Sequence, residues 1–229
     1  MAVALEVRRL GTVAYQEALD LQARLVEDRK AGRIPDQLLL LQHPPVITLG
    51  VRTKHDRSHV LETPKALASR GVDLFETGRG GDVTYHGPGQ IVGYPIVDLR
   101  PDRCDVHQYV RDLEEMLMHT VARFGVTAHR VTGLTGVWVG DEKIAAIGVR
   151  IARWVTSHGF ALNVNTNLDH FDLIVPCGIV GKGVTSLQRL LGRSVDVSRV
   201  ESTLVTEFCA TFSRSIAGTD RSSRLLASS

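Results

Sequence analysis

Along residues 13–31 the apolar side chains Ala14, Ala18, Leu21 and Leu25 recur every three or four positions. That is the period of a helix with one buried face, and Gly32 supplies its stop. The pattern then shortens. Leu38-Leu39-Leu40-Leu41 is a continuous apolar run of strand length, and His43-Pro44-Pro45 separates it from a second extended run, Val46 to Gly50. Thr63 as cap, Pro64 in the first turn and Gly71 beyond the end frame a helix over 64–70. Strands are expected over 72–76, 82–85 and 90–97, the last placed at an edge or bulge because it contains Pro95. A longer helix follows Asp105. It is expected to bury Val106, Tyr109, Val110, Leu113, Met116, Leu117, Val121 and Phe124, and to stop at Gly125. Val137-Trp138-Val139, the turn Gly140-Asp141 and the run Lys143 to Ile151 read as a β-hairpin, followed by a strand over 155–164. The apolar stretch 171–175 reads as a strand ahead of Pro176-Cys177-Gly178. Ser198 is expected to cap a last helix reaching about residue 215, with Val200, Leu204, Val205, Phe208 and Phe212 facing inward. Residues 217–229 read as a disordered tail.

Hairpins outnumber repeated βαβ units, so the expected fold class is α+β, a mixed and largely antiparallel sheet flanked by helices. No linker interrupts the pattern, and 1–216 is expected to form one domain. An apolar fraction of 43% with 23% charged residues fits a globular chain. A net charge of +2 without a basic stripe disfavours nucleic acid as a partner. No basic leader and no apolar run of spanning length is present, so neither a membrane nor export is expected. Cys104, Cys177 and Cys209 are odd in number and widely spaced, which points to reduced thiols and a cytoplasmic protein.

Four segments are candidates for chemistry, each with a plainer alternative. Arg79 to Gln90 packs four glycines around a short strand bearing His86. Such density allows close approach of a ligand, or simply builds a glycine-rich turn. Neither G-x-G-x-x-G nor the Walker pattern occurs in it. Lys143 opens a strand of small residues, Ala145, Ala146 and Gly148, which leaves room for a ligand; an ordinary lysine at a hairpin end reaches to water. His158-Gly159-Phe160-Ala161-Leu162-Asn163 is a strand interrupted by glycine, and the alternative there is a bulge with a bonded core histidine. Cys177 stands between a ring-restricted proline and a flexible glycine, a setting suited to an exposed nucleophile. Cys209 sits beside Phe208 on a helix and reads as inert, and Cys104 has no evident partner. The spacings C-x-x-C and G-x-S-x-G are absent and the cysteines are isolated, so no metal site and no serine hydrolase chemistry is expected.

The segment RGGDVTYHGPGQIVGY, residues 79–94, resembles the signature of the bacterial lipoyl(octanoyl) transferase family, R-G-G-x-x-T-aromatic-H-x-x-G-Q-x-aliphatic-x-Y, with every specified position filled. His43 to Gly50, Lys143 to Gly148, His158 to Asn163 and Pro176-Cys177-Gly178 accompany it in the family's order, and the resemblance covers about residues 5 to 212. It implies the fold of the biotin/lipoate protein ligase catalytic domain. It also implies an ATP-independent acyltransferase without cofactor. This enzyme would move an octanoyl or lipoyl group from acyl carrier protein to a lysine of lipoyl domains, those of 2-oxoacid dehydrogenase E2 subunits and the glycine cleavage H protein, as the first step of protein lipoylation. On this resemblance Cys177 is the acyl-thioester nucleophile and Lys143 lowers its pKa. The substrate site is lined by Arg79, Gly80, Gly81, Asp82, Val83, Thr84, Tyr85 and His86, by Ala146, Ile147 and Gly148, and by Gly159, Phe160 and Ala161.

The residues are consistent with that chemistry. The thiolate is the reactive species, and an adjacent ammonium increases its fraction at neutral pH. A seven-carbon tail needs an apolar slot, for which Val46, Leu49, Ile147, Phe160 and Leu162 are the candidates by proximity to the motifs. The principal alternative is an ATP-dependent lipoate or biotin ligase, against which stands the absence of a G-R-G-R-type nucleotide loop. A non-catalytic acyl-binding protein would leave the pairing of Lys143 with Cys177 without a purpose.

Overall fold

The computed structural model describes residues 2–53, 57–101, 103–175 and 182–217. In chain order its elements are β1 (Val3–Thr12), α1 (Tyr15–Lys30), β2 (Asp36–Gln42), β3 (Val46–Leu49), α2 (Pro64–Ser69), β4 (Asp73–Glu76), β5 (Val83–His86), β6 (Gln90–Ile96), α3 (Val106–Ala122), β7 (His129–Val131), β8 (Leu134–Val139), β9 (Glu142–Ala152), β10 (Val155–Asn163), β11 (Gly183–Val184), α4 (Leu187–Leu191), α5 (Val197–Phe212) and β12 (Arg214–Ile216). The main sheet runs β12-β1-β2-β6-β10-β9-β8-β7, with β11 paired to β9; a smaller sheet runs β4-β3-β5. The β12-β1, β1-β2 and β11-β9 pairs are parallel, and the remaining neighbours in the main sheet are antiparallel. The fold class is therefore α+β with a mixed, mostly antiparallel sheet. Among the described residues no helix is long and apolar enough to cross a membrane.

The main sheet is buried on both faces, which is why β2 and β6 read as unbroken apolar runs. On one face α3 and α5 pack over Leu38, Leu40, Ile91, Phe160 and Leu162. On the other, α1 covers Leu39, Leu41, Val92, Tyr94 and Ala161. The small sheet has a core of its own, with Ile47, Leu49, Val83 and Tyr85 against Phe171 and Leu173. The expected cap of α2 is in place, Thr63 Oγ1 accepting from the Ala66 N–H.

Several expectations need correction. The stretch 171–175 is no strand: a 3-10 turn covers Leu168–Leu173, opened by Asn167 accepting from the Asp169 N–H, and Ile174 makes one isolated bridge to Val60. A short apolar run has no period that separates the two. The cap of α5 is Asp196, whose carboxylate accepts from both the backbone and the hydroxyl of Ser198. That helix ends at Phe212, because Ser213 turns left-handed (φ 54°) and the chain re-enters the sheet as β12. Buried Asp36 anchors this return by accepting from Arg214 Nε at 2.8 Å and from Arg29 Nε at 2.7 Å. Val106, expected inside, is exposed at the first position of α3.

Pro95 lies in an interior strand, between β2 and β10, and its position is a break in the ladder rather than an edge. The β6-β10 register ends at Gly93↔Phe160. Beyond it His158 adopts φ 54°, and its N–H donates to Gln22 Oε1 of α1 at 2.7 Å. The Pro95 carbonyl accepts from the Thr156 hydroxyl at 2.7 Å, so the side of Pro95 that lacks a donor faces the break and costs no ladder bond. Cys177 and residues 218–229 of the expected tail lie outside the described residues.

Candidate active site

Strand alternation sets two opposed faces. On β9, Ile147 and Val149 pack toward α3 and α5, so Ala146 and Gly148 point the other way, beside Ala161 of β10. On the small sheet Val83 and Tyr85 turn into their own core, so Thr84 and His86 face outward, paired with Thr48 and Val46 of β3. The imidazoles of His43 and His86, with ring centroids 5.8 Å apart, lie between the two sheets.

Residues 78–82 bridge the faces because glycine lets backbone approach backbone. The Gly80 N–H donates to the Val149 carbonyl at 2.9 Å, and the Gly50 N–H to the Asp82 carbonyl at 3.1 Å. A Cβ on Gly148 would meet the Gly80 carbonyl at 2.8 Å, and one on Gly50 the Gly81 carbonyl at 2.3 Å. Arg79 reaches through the loop to Thr48, Nη2 donating to its carbonyl at 2.6 Å and Nε to its hydroxyl at 3.1 Å. Asp82 accepts from the Val83 N–H at 2.7 Å and pairs with His59 Nδ1 at 2.9 Å. Gly148→Val is therefore expected to lift the loop off β9. Amide exchange of residues 77–82 should rise by about tenfold or more while that of α3 and α5 stays unchanged, and equal protection of the loop would sink this assignment.

Lys143 lies one residue inside β9 and is only 7% exposed, so it does not reach to water as a hairpin-end lysine would. Its Nζ sits 4.7 Å from the centroid of the Trp138 ring, the residue directly across the β8-β9 ladder. Gly136 leaves room for the stem, since a Cβ there would stand 3.2 Å from Lys143 Cε. On its other side β11 pairs Val184 with Lys143, and the Thr185 N–H donates to the Lys143 carbonyl at 3.0 Å. The chain carrying Cys177 leaves the described structure after Val175, whose N–H is bonded to the His59 carbonyl. It returns at Lys182, ion-paired with Asp141, directly before β11. Both ends of that segment are thus tied to elements that hold the motif residues.

Three buried imidazoles stand behind the loop. His43 Nδ1 bonds the Val13 carbonyl at 2.7 Å. A carbonyl only accepts, so Nδ1 carries the hydrogen and Nε2 takes one from the Tyr94 hydroxyl at 2.8 Å. Burial pushes His43 down to about 4, and it pushes His86 down to about 3 with help from neighbouring His43 and Arg79. His158 falls to about 4 through burial and the charges of Arg79 and Arg150, and its Nδ1 is buried without a partner among the described residues. All three are neutral at pH 7. Tyr15 stacks on His86 at 6.1 Å, and burial pushes the Tyr15 and Tyr94 hydroxyls upward. Burial likewise raises the Cys209 thiol, in keeping with its inert reading.

Four of the five side chains expected from proximity in sequence to form the acyl slot turn elsewhere, and only Val46, paired with His86 on the outward face of the small sheet, stays on the side of the motifs. Ile147, Phe160 and Leu162 pack into the core under α3 and α5, where the Phe160 ring fills the space that Gly93 leaves open. Leu49 belongs to the core of the small sheet. Proximity to a motif does not say which face a strand residue takes, and alternation sends these away from Gly148. Thr48, Gln90, Tyr94, Trp138 and Asn163 were missed as individual site residues. Gln90, Tyr94 and Asn163 stood in the recognised motifs, and Trp138 stood opposite Lys143 in the recognised hairpin.

Residues 14–209 match the lipoyl protein ligase A/B catalytic domain. An octanoyltransferase of Myxococcus xanthus is 53% identical over 212 residues, covering 90% of this chain and 59% of that protein. An octanoyltransferase of Desulforamulus reducens is 48% identical over 207 residues, covering 90% of each. Lipoate-protein ligase A bound with ATP superposes with a TM-score of 0.73 at 16% identity, over 96% of this chain and 89% of that one. Biotin protein ligase from Aquifex aeolicus, in complex with biotin and ATP, gives 0.55 at 12% identity, over 92% and 70%. At such identities the two ligases testify to the fold alone, whereas the two transferases share about half of their residues with this chain across nine-tenths of its length. The chain belongs to the octanoyltransferase family, built on the lipoyl protein ligase A/B catalytic domain.

Proposed function

We propose that the protein is an octanoyltransferase of protein lipoylation that takes its acyl group from acyl carrier protein and delivers it to a lysine of lipoyl domains through a thioester on Cys177. The observation that carries this reading is the setting of Lys143. It is buried over Trp138, at the end of a strand of small residues, in register with the segment that follows Cys177. The family membership and the complete 79–94 motif support it from a second side.

The Lys143 ammonium favours the Cys177 thiolate, which attacks the carrier-bound thioester carbonyl. Backbone N–H groups stabilise the tetrahedral oxyanion, and collapse expels the phosphopantetheine sulfur, which takes a proton from the Lys143 ammonium and leaves as the thiol, so that octanoyl-Cys177 stands with a neutral Lys143. The substrate lysine then attacks as a neutral amine. Lys143 in its own neutral form takes the proton, the C–S bond breaks, and an amide forms. Bond energy comes from the thioester, so ATP is not consumed. We place the acyl chain beside half-buried Ala146, on the face of β9 turned away from α3 and α5. Discrimination between neighbouring chain lengths is modest, about 1–3 kcal/mol per methylene. Both macromolecular partners are soluble proteins, and we place the reaction in the cytoplasm.

Intact mass after incubation with octanoyl-acyl carrier protein, without ATP, tests the proposal. A single octanoyl adduct is expected on the wild type and none on Cys177→Ala, and the adduct should pass to added lipoyl domain. Modification of lipoyl domain only from free octanoate and ATP would instead identify an ATP-dependent ligase.

A further inference from the structure

The polarity of one buried hydrogen-bond chain is fixed from both ends. Asn163 Nδ2 donates to the Thr185 carbonyl at 3.0 Å, and because a carbonyl can only accept, the Asn163 Oδ1 must point the other way. There it accepts from Gln90 Nε2 at 2.9 Å, which also donates to the Tyr85 carbonyl at 3.1 Å. The orientation of the Gln90 amide is thus settled by two acceptors, and its Oε1 faces His86 Nδ1 at 2.8 Å. An amide oxygen cannot donate, so Nδ1 carries the ring hydrogen. Nε2 is left with a bare lone pair, has no partner among the described residues, and is not among the sealed unpartnered atoms. The chain starts at the residue whose N–H is bonded to the Lys143 carbonyl, so it spans from the Lys143 strand to the outward face of β5.

We propose that His86 is a positioning residue that offers Nε2 as a permanent hydrogen-bond acceptor to an N–H of the substrate, with Gln90 and Asn163 holding the ring in that tautomer. The inference rests on the octanoyl-transfer reading. In that reaction two N–H donors come to the site, an amide of the pantetheine arm and the ε-amino group of the incoming lysine. The acyl chain itself offers none. Burial, with the neighbouring His43, Arg79 and His158, pushes the ring down to about 3, so the neutral ring with its acceptor nitrogen is the form present at pH 7.

Nitrogen-15 NMR of the wild-type imidazoles tests the tautomer independently of any activity. His86 is expected to show a protonated Nδ1 and an unprotonated Nε2 from pH 8 to pH 6.5. A hydrogen on Nε2 at neutral pH overturns the proposal. Gln90→Leu, which removes the forced acceptor, should mix the two tautomers; an unchanged spectrum would also overturn it. The kinetic arm uses His86→Phe, which keeps a ring against Tyr15, and follows each half-reaction separately. Loss of one hydrogen bond predicts about 10- to 100-fold slowing of a single half-reaction. Slowed acylation alone identifies the pantetheine amide as donor, and slowed transfer alone identifies the lysine. Equal slowing of both, or of neither, would reduce His86 to a structural role. If the wild type formed no octanoyl adduct at all, the transferase reading would fail, whereas the nitrogen-15 spectrum would still decide which ring nitrogen of His86 carries the hydrogen.

Discussion

Lys143→Met is expected to lower octanoyl transfer by about two to four orders of magnitude with the fold intact, the range that one positioned acid–base group contributes. Methionine is the informative replacement because it keeps the unbranched stem. That stem runs past Gly136, where no Cβ intervenes, and ends over the Trp138 ring, where a thioether packs well. Packing is thereby conserved and only the charge and the proton are removed. The two roles assigned to Lys143 then separate by pH. If it favours the Cys177 thiolate, alkylation of Cys177 in the variant should slow at pH 7 and recover on raising the pH toward the ordinary thiol range near 8.5. Transfer to lysine should not recover in parallel, since no group replaces the proton acceptor. An alkylation profile that coincides with the wild type, together with transfer within about threefold, would mean that the lysine serves neither step.

The sheet strands were legible where alternation or a long apolar run met a turn signal. Leu38–Leu41, Val46–Leu49 and the hairpin around Gly140-Asp141 fall where the pattern puts them. What escaped is what depends on distant partners. β1 and β12 escaped because their pairing joins the two ends of the chain; β12 is three residues long and held by Asp36. The 3-10 turn before Val175 escaped because its apolar residues serve the small sheet's core, which no local period announces. The same division governs the site. Motif residues were recognisable one by one. That Val83 and Tyr85 turn inward while Thr84 and His86 turn toward the main sheet follows from a register set by β3. The break at Pro95 and His158 likewise needed Gln22 of α1, more than a hundred residues away in sequence, to bond the freed N–H.

Acid should unfold this protein early. His43, His86 and His158 are held at about 4, 3 and 4 in the folded state, chiefly by burial, against 6.5 for the unfolded chain. A depressed folded value means that below pH 6.5 the unfolded chain takes up protons that the folded one refuses. Stability is therefore full above about pH 6.5 and drains away as the pH falls through 5, levelling only near 4 and 3 where the folded imidazoles protonate too. At pH 5 each group costs about 2 kcal/mol by this linkage, so the three together remove about 6 kcal/mol from a domain whose total is on the order of 5–15 kcal/mol. The carboxylates with lowered values, Glu27, Asp98, Asp141 and Asp196, add their losses only as the pH falls through their ordinary values of 4.5 and 3.8, so the interval from 6.5 to about 4.5 belongs chiefly to the imidazoles. Urea unfolding at pH 7.5, 6.5, 5.5 and 5.0 is expected to give midpoints that stay nearly level over the first step and fall steeply over the last two. His158→Gln should be less stable than the wild type at pH 7.5 yet lose less on acidification, because one proton fewer is bound on unfolding. Its Nδ1 has no partner among the described residues, which makes it the imidazole whose removal disturbs the fewest of the bonds described. A wild-type midpoint that stays level from pH 7.5 to 5.0 would show that these rings reach protons without unfolding, and the enclosed site behind the glycine loop would have to be abandoned with it.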